Sequence, residues 1–355
     1  EYLRVNRFWV DDNEDEIALL EREINHNIQK RQKELELTIA LTNYCNFSCV
    51  YCYQNKNEKL MTTEVANMII EKIDRILNDN IFEGINIHYF GGEPLLNIPV
   101  LIYLDENIKK ITDKIGIVYK AFLTTNGSML SKELLQKVKF SSIQLTFDGL
   151  EKTHDRLRVS DHFHFKEEIE LIENIMNFSQ AKVLLRTNIC KENKDEIIAL
   201  HKYIFEKFGN ERIEINPNRT IKYHQDDSFE MLSVQEYAEV AYQIKLLWSE
   251  QKGKFELPVP RSTPCKFPYG NAYAISPEGY CTFCSGSMDQ EKKYFFDVDI
   301  ENKKMFSVRK ECKKCNILPL CLGGCIIQYN LRAGACTYEK YELKNILISY
   351  IKHIS

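Results

Sequence analysis

The chain has 355 residues, 47 Lys and Arg against 51 Asp and Glu, a net charge of −4 and 44% hydrophobic residues. The near-balance and the lack of a long basic run exclude a phosphate-tracking nucleic-acid surface, and no window approaches the roughly 18 apolar residues that a membrane helix needs. Twelve cysteines without a secretory pattern at Glu1-Tyr2-Leu3-Arg4 predict metal ligation in a reducing, cytoplasmic setting rather than disulfides. The missing initiator Met leads to the expectation of a further N-terminal recognition module.

A polar opening and a helix near Asp15–Lys33 precede a series of apolar β-rich runs alternating with helix-period segments. Strands are predicted near Leu37–Leu41, Ile85–Phe90, Ile117–Leu123, Ser142–Phe147, Val183–Ile189 and Arg212–Asn216. Helices are predicted at Thr62–Leu77, Lys166–Phe178 and Lys194–Phe208. Repeated β-α order predicts a parallel sheet, and six units suggest an α/β fold of partial (β/α)6 barrel type, with its chemistry at the carboxyl ends of the strands. Tyr223–Ser228 and Gly253–Pro264 read as connections, and cysteine density rises after the second. The expected division is an N-terminal segment 1–35, a core barrel 36–217, a helical connection 218–260 and a cysteine-rich module 261–355.

The most specific motif is Cys45-Asn46-Phe47-Ser48-Cys49-Val50-Tyr51-Cys52. Three thiolates in one loop leave one iron of a four-iron cluster without a protein ligand, and so open to chemistry. Zinc held by two or three of these cysteines is the competing reading. Gly91-Gly92-Glu93-Pro94 follows the second strand, with two glycines that permit a close backbone approach and a carboxylate at Glu93. Thr124-Thr125-Asn126-Gly127 ends the third strand and Thr146-Phe147-Asp148-Gly149 the fourth, followed by His154-Asp155-Arg156 and Arg158. Asn188 stands near the end of the fifth strand, where an Asn is also an ordinary turn residue.

In cysteine spacing and in the order of these strand-end motifs the chain resembles the radical S-adenosylmethionine (radical SAM) superfamily over roughly Leu37 to Asn216. The resemblance implies that Cys45, Cys49 and Cys52 hold a 4Fe-4S cluster whose open iron chelates SAM. It implies that Gly91, Gly92 and Glu93 meet the methionyl amino group, and that Thr125, Asn126, Thr146, Asp148, Arg158 and Asn188 line the ribose and carboxylate region. Tyr51 stands at the aromatic position beside the adenine. Thr146 replaces the more usual Ser but keeps the hydroxyl.

Eight further cysteines follow: Cys265, Cys281, Cys284, Cys312, Cys315, Cys321, Cys325 and Cys336. They are similar to the SPASM extension of radical SAM enzymes that modify peptides. That resemblance assigns Cys312, Cys315, Cys321 and Cys336 to one auxiliary 4Fe-4S cluster and Cys265, Cys284 and Cys325 to another. The family's further cysteine has no counterpart in Leu257-Pro258-Val259-Pro260, which makes Cys281 the candidate fourth ligand. If Cys281 points elsewhere, that cluster has an open iron. Zinc remains the alternative for the module by itself, and Cys190 reads as a small buried hydrophobe.

The resemblance implies reductive SAM cleavage to a 5'-deoxyadenosyl radical, then hydrogen abstraction from a ribosomally made precursor peptide, giving a thioether or carbon-carbon crosslink. A flavodoxin- or ferredoxin-type protein would supply electrons. One alternative is an anaerobic sulfatase-maturing, formylglycine-forming enzyme, in which an Asp follows the cysteine at the position occupied here by Ser285. The other is a non-enzymatic, zinc-bound peptide-binding scaffold.

Overall fold

The computed structural model describes residues 14–209, 212–222, 229–253, 255, 257–282, 284–287, 293–298, 305–325 and 336–354. The expected connection Tyr223–Ser228, the first thirteen residues and Phe283 lie outside this set.

Helix α1 (Glu16–Arg31) is capped by Asp15, whose carboxylate accepts from the Ile17 and Ala18 amides at 3.1 and 3.0 Å. Then come β1 (Glu34–Ala40), α2 (Thr63–Asp79), β2 (Gly84–Phe90), α3 (Ile98–Ile115) and β3 (Val118–Thr124). The chain continues with α4 (Lys132–Lys137), β4 (Phe140–Thr146), α5 (Glu151–Leu157), α6 (Phe165–Phe178), β5 (Lys182–Ile189), α7 (Ile197–Phe208) and β6 (Ile213–Arg219). The six strands pair in consecutive order and all parallel, as the repeated β-α order predicts.

The sheet does not end at β1. After α8 (Val234–Lys252) and the short α9 (Lys266–Tyr269), strand β7 (Asn271–Ile275) pairs in parallel with β1, and β8 (Tyr280–Thr282) and β9 (Lys293–Tyr294) extend it antiparallel to nine strands. The apolar run in β7 is buried along its whole length. Last come α10 (Leu318–Cys321) and α11 (Glu339–Ile354), which packs against α8.

Alternation along the strands separates two faces. One carries Leu35, Leu37, Ile85, Ile87, Ile143 and Leu185, all buried and packed under the helices in the main core. Each such side chain contributes about 1.5–3 kcal/mol of transfer free energy. The other, inner face is polar and half-buried, with His88, Thr124, Gln144, Arg186 and Asn216. A second cluster joins Ile24 and Ile28 of α1 to Phe306, Val308, Leu318 and Leu322. There Asn25 both donates to the Phe306 carbonyl at 3.0 Å and accepts its amide at 2.7 Å. No described helix is long and apolar enough to cross a membrane.

Candidate active site

The loop from Thr42 to Leu60 carries the three cysteines and is closed at its base. Thr42 bridges to Leu60, the Asn43 amide donates to the Lys59 carbonyl at 3.1 Å, and Met61 donates to Leu41 at 2.9 Å. Buried Asn97 clamps both stems, donating to the Leu41 and Met61 carbonyls at 3.1 and 3.0 Å. Further out, Ser48 and Val50 donate to the Val159 and Leu157 carbonyls, so the loop rests on the segment after α5. Cys45, Cys49 and Cys52 are half-buried and close enough that each thiolate raises the charge cost of another.

The chemistry of this set fits an iron-sulfur cluster. Thiolates are its usual ligands, and the Phe47 amide and the Asn126 side chain donate to the Cys45 sulfur at 3.4 and 3.9 Å. Burial pushes the Cys49 thiol up to about 11, against the lowering effect of the Arg158 cation, and a bound metal would deprotonate such a thiol outright. Among the described residues no three or more Cys, His, Asp or Glu side chains are grouped as for a metal ion.

Gly91 and Gly92 bring the turn after β2 against this loop. A Cβ at Gly91 would lie 2.3 Å from the Thr42 carbonyl oxygen, and one at Gly92 would lie 2.2 Å from that of Tyr44. The backbone uses the contact: Gly92 donates to Thr42 and Glu93 to Tyr44, both at 2.8 Å. The close approach that both glycines permit is thus to the cysteine loop itself.

Fully buried Glu93 joins two strand ends. Its carboxylate accepts from the Thr125 hydroxyl and the Asn126 amide at 2.7 Å each, and from Leu95 at 2.9 Å. Burial raises its pKa, and these three donors oppose the shift. Asn126 also donates to Asn46 at 2.8 Å, tying β3 to the cysteine loop.

Asp148 is a second buried junction. It accepts from the Asn188 amide at 2.7 Å and from the Tyr51 hydroxyl, while Asn193 donates to the Asp148 and Asn188 carbonyls at 2.7 and 2.8 Å. Thr146 is buried one strand position before Phe147. Arg158 stacks 5.4 Å over Phe47 and lies 4.0 Å from Glu168, which also meets His154 at 3.1 Å. Asn193, Asn97 and Glu168 were missed by the sequence reading. They sit in a loop and two helices, where a lone Asn or Glu reads as solvated surface.

In the C-terminal module the hairpin after β7 reaches the same region. Glu278 pairs with Lys59 of the cysteine loop, and Ser285 and Gly286 line a cleft of about 20 Å³ with Ala40, Asn43, Gly91 and Tyr53. Cys312, Cys315 and Cys321 lie within electrostatic reach of one another, as do Cys265 and Cys325. Cys284 is half-buried and accepts the Gly286 amide at 3.3 Å. Exposed Cys336 meets Lys340 at 3.8 Å. Cys281 is buried within the main hydrophobic core, in contrast to half-buried Cys284 and exposed Cys265 and Cys325. Strand alternation is the cause: in β8, Cys281 is paired with Ile275. Cys190 is fully buried beside Leu157 and Phe229, where the apolar surroundings push its thiol up to about 12.

Residues 39–204 match the Radical SAM superfamily model. The radical SAM cyclopropyl synthase TigE of Paramaledivibacter caminithermalis is 24% identical over 92% of this chain and 76% of its own length. An uncharacterized protein of Methanocaldococcus jannaschii is 34% identical over 32% of this chain and 39% of its length. The GTP 3',8-cyclase of Helicobacter pylori is 31% identical over 50% of the chain and 53% of its length. The match thus spans about half or less of these last two relatives. Among solved structures, anSMEcpe with bound AdoMet and Cp18Cys peptide superposes with a TM-score of 0.70 at 19% identity, covering 90% of this chain and 98% of that one. Streptococcus suis SuiB bound to precursor peptide SuiA superposes with a TM-score of 0.60 at 17% identity, covering 93% and 82%. Residues 39–204 are therefore a radical SAM domain, within a chain that shares the fold of the anSMEcpe and SuiB structures.

Proposed function

We propose that this chain is a radical SAM peptide maturase with auxiliary iron-sulfur clusters, acting on a ribosomally made precursor peptide. SAM bound at the Cys45, Cys49 and Cys52 cluster would supply, on one-electron reduction by a flavodoxin- or ferredoxin-type donor, a 5'-deoxyadenosyl radical that abstracts hydrogen from the peptide. The chain's own residues hold the site together. Glu93 and Asp148 tie the ends of β2 to β5 to the cysteine loop, and Arg158 brings a buried cation beside Cys49 and Asp148. A radical reacts only with an atom close to contact, so rigid positioning supplies most of the selectivity.

The observation that carries the peptide assignment is the position of the C-terminal module. Its hairpin closes on the cysteine loop through Glu278 and Lys59 and brings Ser285 beside Gly91. A substrate entering the barrel would pass beside this junction. Peptide-bound relatives of the same fold support this reading. Two auxiliary clusters, with ligands drawn from Cys265, Cys284, Cys325 and Cys312, Cys315, Cys321, Cys336, belong to the proposal. The core placement of Cys281 favours three thiolate ligands for the first of them. A formylglycine-forming role is disfavoured because Ser285 offers no base comparable with a carboxylate.

The test is incubation of reconstituted enzyme with SAM, reductant and either the small peptide encoded beside the gene or a sulfatase-derived Cys peptide. A loss of about two hydrogens from the first, with 5'-deoxyadenosine formed, supports a crosslinking maturase. Formylglycine on the second alone would overturn the choice.

A further inference from the structure

The inner face of the barrel carries a polar row that meets the SAM-lining residues at Asn188 and extends beyond them. Its polar side chains form a partial hydrogen-bonded rail from β2 to β6. His88 meets the Thr124 hydroxyl at 2.8 Å, Gln144 donates to Thr124 at 3.3 Å, and Asn216 reaches Gln144 at 3.4 Å. All of these residues are half-buried, so the rail borders open space. Burial holds His88 neutral, with its pKa lowered to about 4, so it adds no charge near neutral pH.

Arg186 of β5 stands in this row, level with Thr146 on one side and Asn216 on the other. Its Nε donates to Asn188 at 2.8 Å, which fixes the direction of the guanidinium and leaves its two terminal nitrogens without a hydrogen-bond partner among the described residues. The other charges of this face are neutralised or remote. Lys182 pairs with Glu214 at 2.6 Å, and Glu36 is held by Arg31 and Lys266 at 2.9 and 2.7 Å. Lys120 lies exposed toward the opposite end of the strands. Within the carboxyl-end half of the face, Arg186 is the one charged side chain among the described residues, and no ion pair compensates it.

A half-enclosed guanidinium with a fixed orientation and two free N–H pairs is built for bidentate recognition of a carboxylate. The geometry points to Arg186 as a specificity-determining residue that binds an acidic side chain of the substrate peptide, with Gln144 and Asn216 offering amide groups to the adjoining peptide backbone. This rests on the peptide-maturase reading. The methionyl carboxylate of SAM has the same chemistry, but Arg158, the cation beside Cys49, serves that group in the assignment above.

The experiment selects short random peptides from a displayed library on immobilised, reconstituted wild-type enzyme and on R186Q and R186E variants, with SAM present. SAM affinity and visible absorbance are measured in parallel on each protein. The expected result is enrichment of Asp or Glu at one fixed position by the wild type, lost in R186Q and turned toward Lys or Arg in R186E. An enriched acidic peptide, synthesised and titrated, should bind R186Q about tenfold more weakly or worse, while SAM affinity stays unchanged. Equal acidic enrichment by all three proteins, or enrichment by the wild type of peptides with no preference for Asp or Glu, overturns the inference but leaves the maturase reading intact. A loss of SAM affinity in R186Q reassigns Arg186 to SAM and also overturns it. Failure of the wild type to enrich any peptide, while it still cleaves SAM, defeats the maturase reading itself.

Discussion

Replacing Gly92 with Ala should separate the turn after β2 from the cysteine loop. The new Cβ would stand 2.2 Å from the Tyr44 carbonyl oxygen and 2.6 Å from its carbon, so the two segments must part by about 1 Å to reach ordinary contact. The loop cannot yield freely, because Asn97 and the Thr42 to Lys59 contacts hold its base. Parting the segments breaks or stretches the Gly92–Thr42 and Glu93–Tyr44 hydrogen bonds, both 2.8 Å. At about 1 kcal/mol for each bond and about 1–3 kcal/mol for overpacking, the loss is about 3–5 kcal/mol. A control separates this effect from loss of a glycine as such. Gly116, with φ +83° and nothing within 4 Å of its added Cβ, should lose only about 1–2 kcal/mol as Ala through left-handed strain. Equilibrium denaturation, iron content and SAM affinity would be measured on both variants. Unchanged stability and SAM binding in Gly92→Ala, or equal losses in Gly116→Ala, would refute the reasoning.

Glu168→Ala should destabilise the protein by about 3 kcal/mol, since it takes one of two carboxylates, Glu168 and Asp148, from the buried Arg158 cation and removes the partner of His154; a denaturation midpoint equal to wild type would refute this. Glu93→Gln should weaken SAM binding while iron content holds, and an unaltered dissociation constant would remove Glu93 from the SAM site. His201 is buried between Thr187 and Trp248, with its pKa lowered from 6.5 to about 4. Below pH 6.5 the unfolded chain therefore takes up a proton that the folded state refuses, and stability falls as pH drops toward 4, by up to about 3 kcal/mol. Denaturation across that window should show a shallower pH dependence in His201→Phe; identical slopes would contradict the assignment.

The fold was largely legible because its strands alternate or run apolar and its helices are amphipathic. Leu35, Leu37 and Ile39 alternate with Glu36 and Thr38, so the period of β1 is visible in one dimension. Strand β7 was not, because Asn271–Ile275 is short and lies between Cys265 and Cys281, in a module where the cysteine spacing and not an apolar period carries the signal. Its pairing with β1 is a contact across more than two hundred residues that no local pattern encodes. At the site, strand ends such as Asp148 and Asn126 could be read by position. Asn97 and Asn193 could not, since what they satisfy are carbonyls of distant loops. The rail from His88 to Asn216 left a trace in the polar inward positions of successive strands, visible only once the register was known.

The central claim is that the thiolates of Cys45, Cys49 and Cys52 support reductive SAM cleavage. Its most direct test is to quantify 5'-deoxyadenosine and methionine after anaerobic incubation of reconstituted enzyme with SAM and a strong reductant, alongside the triple Cys→Ala variant. The wild type should form both products in equal amounts and the variant neither, with about four fewer irons per variant chain. A colourless wild-type protein that binds zinc and yields neither product would contradict it.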